Sequence, residues 1–304
     1  MDIFILLLGS ALPLLILIGL GYFAGKKFNV DTATLANIVI FIISPVVMFG
    51  AVARLPLEAN YFILPLVIFI FAACLTLGVS AIAHKVLKDN ISNLIGMSSA
   101  TANTGYFGLP IILALFDSSN AGLYLLMTFA LTINESSFAY YVGARGRHTI
   151  RESFIKVLRL PTLYALVLGL AVNLAGITMP AIFNTYWDKF AGSWTIIGMM
   201  LLGVALSKYK LQINWVLLSS LSFTKFVIWP GFMLLLAFLD RQYFHFYDER
   251  IYKMLLVIGC VPVAANVVAF ATHLDVKPGE AAVAVLITTL ISVLYLPLML
   301  FIFG

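Results

Sequence analysis

Residues 103–110 read NTGYFGLP, set between SNLIGMSSATA and IILALF. Two glycines, a proline, an asparagine and a threonine therefore fall inside one of the most apolar regions of the chain. In a bilayer no water reaches the backbone groups that such residues release. Non-helical backbone at membrane depth survives only where it is buried in protein or lines a watery cavity. The reading of these eight residues thus turns on whether the region crosses a membrane.

Composition answers that. Of 304 residues 62% are hydrophobic and 10% are charged, whereas soluble domains run at about 45–50% apolar and about 25% charged. A soluble fold with this composition would lack the charged surface to cover its core. The charges cluster between apolar runs of roughly 20 residues, the length that spans a hydrocarbon core of about 30 Å. The alternating short strands of a β-barrel are absent. The sequence predicts an all-α polytopic membrane protein, multi-pass in the plasma (inner) membrane. Cys74 and Cys260 lie in apolar runs and read as inert packing residues. Neither a disulfide framework nor a metal-ligand spacing is present, so no cofactor is expected.

Spans are predicted at about 3–25, 31–53, 61–83, 91–116, 121–143, 161–178, 190–207, 214–239, 251–272 and 281–303. The seventh is short, with 184–189 read as an interfacial approach to it. The first run has Lys26 and Lys27 after it and no cationic stretch before it. That is the reverse of a cleavable signal peptide, so it is expected to remain as a span. Connections after the odd-numbered spans hold Lys26, Lys27, Lys85, Lys88, Arg145, Arg147, Arg151, Lys156, Arg159, Lys208, Lys210 and Lys277. The other connections hold Arg54, Lys189, Arg241, Arg250 and Lys253, and Lys225 falls inside span 8. This bias puts the first set in the cytoplasm and both termini outside.

The stretch ARGRHTIRESFIKVLR (144–159) reads as an amphipathic linker on the inner leaflet rather than a nucleic-acid site. It divides the chain into a first five-span repeat (1–143), a linker (144–160) and a second five-span repeat (161–304). An odd number of spans per half gives the halves opposite orientations. LPLLILIGLG (12–21) and LPTLYALVLGL (160–170) are a faint echo between them.

A second broken span matches the first. Span 4 carries Asn103, Thr104, Gly105, Gly108 and Pro110, and span 9, KMLLVIGCVPVAANVVAFATH, carries Gly259, Pro262 and Asn266 at about the same depth. Paired interruptions at corresponding positions point to the midplane site of a secondary transporter. TGYFG superficially matches a potassium filter, but that needs a pore helix and four-fold repetition, and the second broken span reads differently. Half-helix N-termini offer free N–H groups and a positive dipole end to an anion. Asn103 and Asn266 add neutral donors, while Asn103 and Thr104 equally suit a helix cap. Gly105, Gly108, Pro110, Gly259 and Pro262 are read as the residues that break the helices. Glu135, beside Asn134 in span 5, is an intramembrane acid of the kind that faces a bundle interior or cavity. It carries a coupling proton, discriminates substrates, or is a neutral structural group. Lys225 balances a substrate carboxylate, pairs with Glu135, or forms a structural ion pair. His84 and His273 read as interfacial. Pro13, Pro45, Pro161 and Pro297 read as kinks and helix starts, and Trp187 and Trp215 as an interfacial belt.

GLGYFAGKK (19–27), ISPVVMF (43–49), NTGYFGLP (103–110) and GCVPVAANVVAFA (259–271) resemble the auxin efflux carrier family, its prokaryotic members in particular. The likeness runs through essentially the whole chain. It implies an inverted five-plus-five repeat similar to that of bile acid symporters and sodium/proton antiporters. In that fold two broken helices cross beside the substrate, within a core that moves against a scaffold, commonly in a homodimer. The resemblance implies transport of a small organic anion, with malate, malonate or an auxin-like acid as the candidates although auxin itself is not implied, and the residues read as its contacts are Asn103, Thr104, Gly105, Asn134, Glu135 and Asn266. The coupling ion, proton or sodium, stays open. The long central loop of the plant proteins is missing here. A cation/proton antiporter on the same fold is the nearest alternative, although neither broken span has an aspartate before Asp117. An intramembrane enzyme or a receptor is the alternative from another class, and no catalytic pair was found for the former.

Overall fold

The computed structural model describes residues 3–55, 63–87, 89–116, 119–209 and 213–304; Lys88, Asp117 and Lys210 lie outside them. The described residues are helical with no strand among them. In chain order the helices are α1 (Ile3–Lys27), α2 (Thr32–Val52), α3 (Ile63–Val86), α4 (Ile91–Ser99) and α5 (Thr104–Leu115). There follow α6 (119–144), α7 (Ile150–Leu158), α8 (Pro161–Leu174) and α9 (Ala181–Lys208). The chain ends with α10 (Trp215–Phe244), α11 (Glu249–Cys260), α12 (Asn266–Leu274) and α13 (Pro278–Phe303).

Among the described residues five helices, α2, α3, α9, α10 and α13, are long and apolar enough to cross a membrane. A sixth qualifies if α7 and α8, bent by 46° at their junction, count as one. The expected spans 4 and 9 fall short as whole helices because each is split. The expected seventh span is corrected in the other direction. It forms one helix of 28 residues from Ala181, so residues 184–189 are its first turns rather than an approach.

Local sequence explains the ends and the irregularities. Asp31 caps α2 by accepting from the Thr34 amide at 2.9 Å, and the Thr34 hydroxyl and amide hold its carboxyl below the usual range. Thr149 and Glu152 form a reciprocal capping box at the start of α7, satisfying two of the donors that a helix start leaves free. The αL conformation of Asp275 stops α12. Wide turns with i to i+5 hydrogen bonding occur inside α2 at Val39–Ile43 and α10 at Thr224–Ile228, and at the start of α5 at Thr104–Gly108. Pro45, Pro110 and Pro230 each stand at the second residue beyond such a turn. Proline has no N–H to give and its ring clashes with the carbonyl four residues back, so the widened turn makes room for it. At Pro230 the freed carbonyl of Phe226 takes the Tyr295 hydroxyl at 2.7 Å.

The helices sort into two groups by their contacts. α1, α2, α8 and α9 pack together, while α3, α4, α6, α10 and α11 form the other group, and α13 touches both, meeting α1 and α9 as well as α10 and α11. The α1–α9 pair is the most extensive, and small residues make it so. A Cβ on Gly21 would overlap the Met200 carbonyl, one on Gly25 the Ser207 hydroxyl, and one on Gly203 the Ile18 carbonyl. Without a hydrophobic force between helices in lipid, such small-residue seams bring backbones close enough for dispersion to hold them.

Gly203→Leu is therefore expected to destabilise the detergent-solubilised protein by overpacking of at least about 1–3 kcal/mol. Gly78→Ala, where a Cβ meets open space, serves as the control and should leave the melting temperature unchanged or slightly higher. Thermal melts monitored by size-exclusion fluorescence check both; equal melting of the two variants would dismiss the seam.

Candidate functional site

The helix does not break at its glycines and proline. α4 ends at Ser99, residues 100–103 are irregular, and α5 already begins at Thr104. Gly105, Gly108 and Pro110 thus lie in the helix after the break, and Gly259 lies in α11 ahead of the second break at 261–265. Of the five residues read as breaking the helices, Pro262 alone sits in a break. The glycines serve close approach instead, since among the described residues Gly176 is the only glycine with positive φ. The Tyr124 hydroxyl occupies the space a Cβ on Gly108 would need, and Trp194 packs 3.0 Å from the Cβ position of Gly105. The Cβ position of Gly259 is 3.1 Å from Cα of Pro230.

Small hydroxyl residues accompany the first break. Ser99 Oγ donates to the Gly96 carbonyl at 2.9 Å and Thr101 Oγ1 to the Ser98 carbonyl at 3.0 Å, local bonds that compete with the helix ladder. Buried side chains then satisfy the released backbone group by group. The Trp229 indole donates to the Ser99 carbonyl at 3.0 Å and Asn134 Nδ2 to the Ala100 carbonyl at 3.5 Å. Lys225 Nζ donates to the Thr101 carbonyl at 2.9 Å, and the Ala102 N–H donates to Glu135 Oε1 at 3.2 Å. Finally the Asn103 N–H donates to the Pro262 carbonyl at 2.9 Å, joining the first break directly to the second.

The candidate residues are accordingly brought together, but in different capacities. Asn266, at the start of α12, donates through Nδ2 to Glu135 Oε2 at 3.4 Å and accepts the Tyr106 hydroxyl at 3.5 Å. Asn103 stands at the N-cap position of α5, yet its amide makes no capping bond. Thr104 and Gly105 face a cavity, while Asn134 is fully buried and also donates to Thr76 Oγ1 at 3.2 Å. Lys225 is fully buried with its ammonium also 5.0 Å from the Trp229 ring. It forms no ion pair with Glu135; the ion pairs among the described residues are Arg147–Asp275, Arg241–Glu249, Arg250–Asp248 and Lys277–Glu280. His84 bonds back to the Ser80 carbonyl at 2.8 Å and His273 to Asn37 at 2.9 Å. Cys74 and Cys260 are free thiols.

Two neighbouring hollows lie between the helix groups at the breaks. The larger, about 130 Å³, is bounded by Val47, Met48, Trp187 and Trp194 on one side and by Thr104, Phe129 and Thr132 on the other. Its size is close to the ~150 Å³ that admits benzene in an apolar core. The smaller, about 20 Å³, shares Met48 and Thr132 with it and is lined by Ser44, Glu135, Thr162 and Asn266. The Arg54 guanidinium stacks 3.7 Å above the Trp187 ring, with Nε donating to the Gly50 carbonyl at 2.8 Å. Trp187 itself donates to the Val47 carbonyl at 2.9 Å, and Trp194 to Ser44 Oγ at 3.0 Å. Trp187 is thus a cavity wall, which a belt reading does not anticipate. Trp194, Tyr106, Trp229 and Arg54 were missed as site residues. A tryptophan far from either end of a predicted span, as Trp229 is in 214–239, was the available signal.

The sequence matches the membrane transport protein family over residues 6–143 and 145–300. Uncharacterized transporter MJ1031 of Methanocaldococcus jannaschii is 24% identical over 94% of this chain and 96% of its own length. Uncharacterized transporter YfdV of Escherichia coli K12 is 22% identical over 91% of this chain and 92% of its own. The chain belongs to this auxin efflux carrier-like family of membrane transport proteins.

The geometry separates a backbone-holding role for Lys225 from a substrate role. Lys225→Met keeps the bulk and orphans the Thr101 carbonyl, a loss of about 1–3 kcal/mol. A melting temperature lowered to the extent seen for Trp229→Phe, which orphans the Ser99 carbonyl, is the expected outcome. Unchanged melting with loss of transport alone would instead put Lys225 on the substrate.

Proposed function

We propose that this protein is a secondary transporter of a small organic anion, a carboxylate such as malate, malonate or an auxin-like acid, working by alternating access. The observation that carries the reading is the joining of the two helix breaks through Asn103 N–H and the Pro262 carbonyl. It sets the starts of α5 and α12 beside hollows that run between the two helix groups. Helix starts favour negative charge, and Asn266 adds a neutral amide donor. A carboxylate seated there would meet neutral donors, with the Lys225 ammonium nearby held on the Thr101 carbonyl. The apolar wall of Trp187, Trp194 and Phe129 would take its carbon body.

The proposed architecture is ten spans in two inverted repeats of five, 1–143 and 161–304, joined by the linker 144–160. α4/α5 and α11/α12 are then corresponding broken spans. The group of α1, α2, α8 and α9, held by its glycine seam, suits a scaffold. The other group suits a moving core, and sliding between them would expose the hollows to either side in turn. The termini are proposed to lie outside and the basic linker inside the plasma membrane. The assembly is proposed to be a homodimer on the strength of the resemblance. The cation/proton alternative stands behind this reading because neither broken span has an aspartate before Asp117.

Uptake of radiolabelled malate, malonate and indole-3-acetate into proteoliposomes tests the function. Asn266→Ala and Asn103→Ala each remove a hydrogen bond to a charged ligand, worth about 1.5–3 kcal/mol, or roughly a 10- to 150-fold loss of affinity. Melting temperatures should stay near wild type; poor folding with normal binding would mark either asparagine as architectural. For topology, a membrane-impermeant maleimide on intact cells should label Gln242→Cys and not Arg151→Cys, and the opposite pattern would reverse the orientation.

A further inference from the structure

The donors that an anion needs are already occupied. Glu135 Oε1 accepts the Ala102 N–H at 3.2 Å and Glu135 Oε2 accepts Asn266 Nδ2 at 3.4 Å. The carboxylate thus reaches from α6 to both breaks at once and lines the smaller hollow. Its two oxygens do there what the two oxygens of a substrate carboxylate would do. Resting on the anion-transport reading, we propose that Glu135 is a tethered occupant of the anion site, displaced by an organic carboxylate only together with a proton.

The surroundings give this exclusivity its force. From α10 the Lys225 ammonium reaches the break, but it is held on the Thr101 carbonyl and pairs with no carboxylate among the described residues. From α5 comes the neutral Tyr106 hydroxyl, which donates to Asn266. α2, α8 and α12 contribute Ser44, Thr162 and Asn266 to the hollow and no ionisable group. One cation therefore serves a place where two carboxylates would meet, in surroundings of low dielectric where like charges strongly oppose ionisation. Protonating a Glu135 oxygen removes its charge and converts it from a pure acceptor into a group with one O–H donor. The Ala102 N–H and Asn266 Nδ2 are then free to take the incoming anion. The proton comes from solution and is carried on Glu135 as long as the anion stays, so each carboxylate group seated there is balanced by one proton, and a monocarboxylate such as indole-3-acetate adds no net charge. When the anion leaves, the proton leaves and Glu135 reoccupies its donors. The side chain acts as a competitor that ties two species to one cycle.

The experiment measures binding of indole-3-acetate, malate and malonate to purified wild-type protein, together with proton uptake in weakly buffered solution. It is run at rising pH above neutrality, where the acids are ionised. The expected result is uptake of one proton per anion, with affinity falling about tenfold per pH unit once Glu135 is ionised. Glu135→Gln, neutral at every pH, should bind with affinity independent of pH and no proton uptake. Glu135→Asp keeps the charge but shortens the reach, so its profile should shift along the pH axis without flattening. Wild-type affinity that is flat with pH, or an acid bound without a proton, overturns this inference and leaves anion transport standing. A pH profile unchanged in both variants also overturns it, by assigning the proton elsewhere. If none of the acids binds wild type at any pH, the anion reading and this inference fall together.

Discussion

One peptide unit sits under the whole arrangement. The bond between Thr101 and Ala102 presents its carbonyl to Lys225 and its N–H to Glu135, so a buried cation and a buried carboxylate grip opposite ends of one amide. Neither charge touches the other directly; each is satisfied by the dipole between them. This meets two requirements of a low-dielectric interior together. The released backbone must be paired, and buried charges must find partners. The helix can stay open because α6 and α10 each deliver a charged side chain to the same point. The ion-pair geometry expected of an intramembrane acid and base is replaced by something that also positions backbone.

Much of this was legible beforehand, and the reasons for the rest are physical. Apolar length and charge spacing carry helix content and location, because lipid forces every backbone group into a ladder; hence the helices fall on the apolar stretches. That two interruptions face one another was legible from Asn103 and Asn266 at matching depth. Their location within the segment was not, because glycine and proline mark where a helix is strained rather than where it ends. Pro110 is absorbed by a wide turn, and Gly108 makes space for Tyr124. The break falls at small residues, 100–103, which look innocuous along the chain. What opens them is side chains distant in sequence, Trp229 and Lys225 among them. Such long-range satisfaction leaves no local trace. Trp187 likewise has the position of a belt residue and the contacts of a cavity wall.

The site divides its labour between polar and apolar walls. Hydrogen-bonding groups gather in the narrow hollow around Glu135 and Asn266, and the wider one offers indole and phenyl faces with a scatter of threonines. Arg54 stands behind the Trp187 wall of the wider hollow, its guanidinium over the ring and its donors on the Gly50 carbonyl and Asn184.

The wide turns ahead of Pro45 and Pro230 have a consequence for how helices share neighbours. Inserting one residue into a helix turns everything beyond it by about 100° about the axis, since 3.6 residues make a full circle. A single rod can therefore present one azimuth below the turn and another above it. α2 does this: residues Thr32–Ile38 lie against α12, whereas Ser44–Val52 lie against α8, with α9 running along both. α10 repeats it, meeting α4 with Trp215–Phe223 and α11 with Trp229–Leu239. Each is a keyed shaft whose two ends are cut out of phase. A rotation of α2 as a unit would be felt by α12 at one end and by α8 at the other, so those neighbours are geared to a common axle.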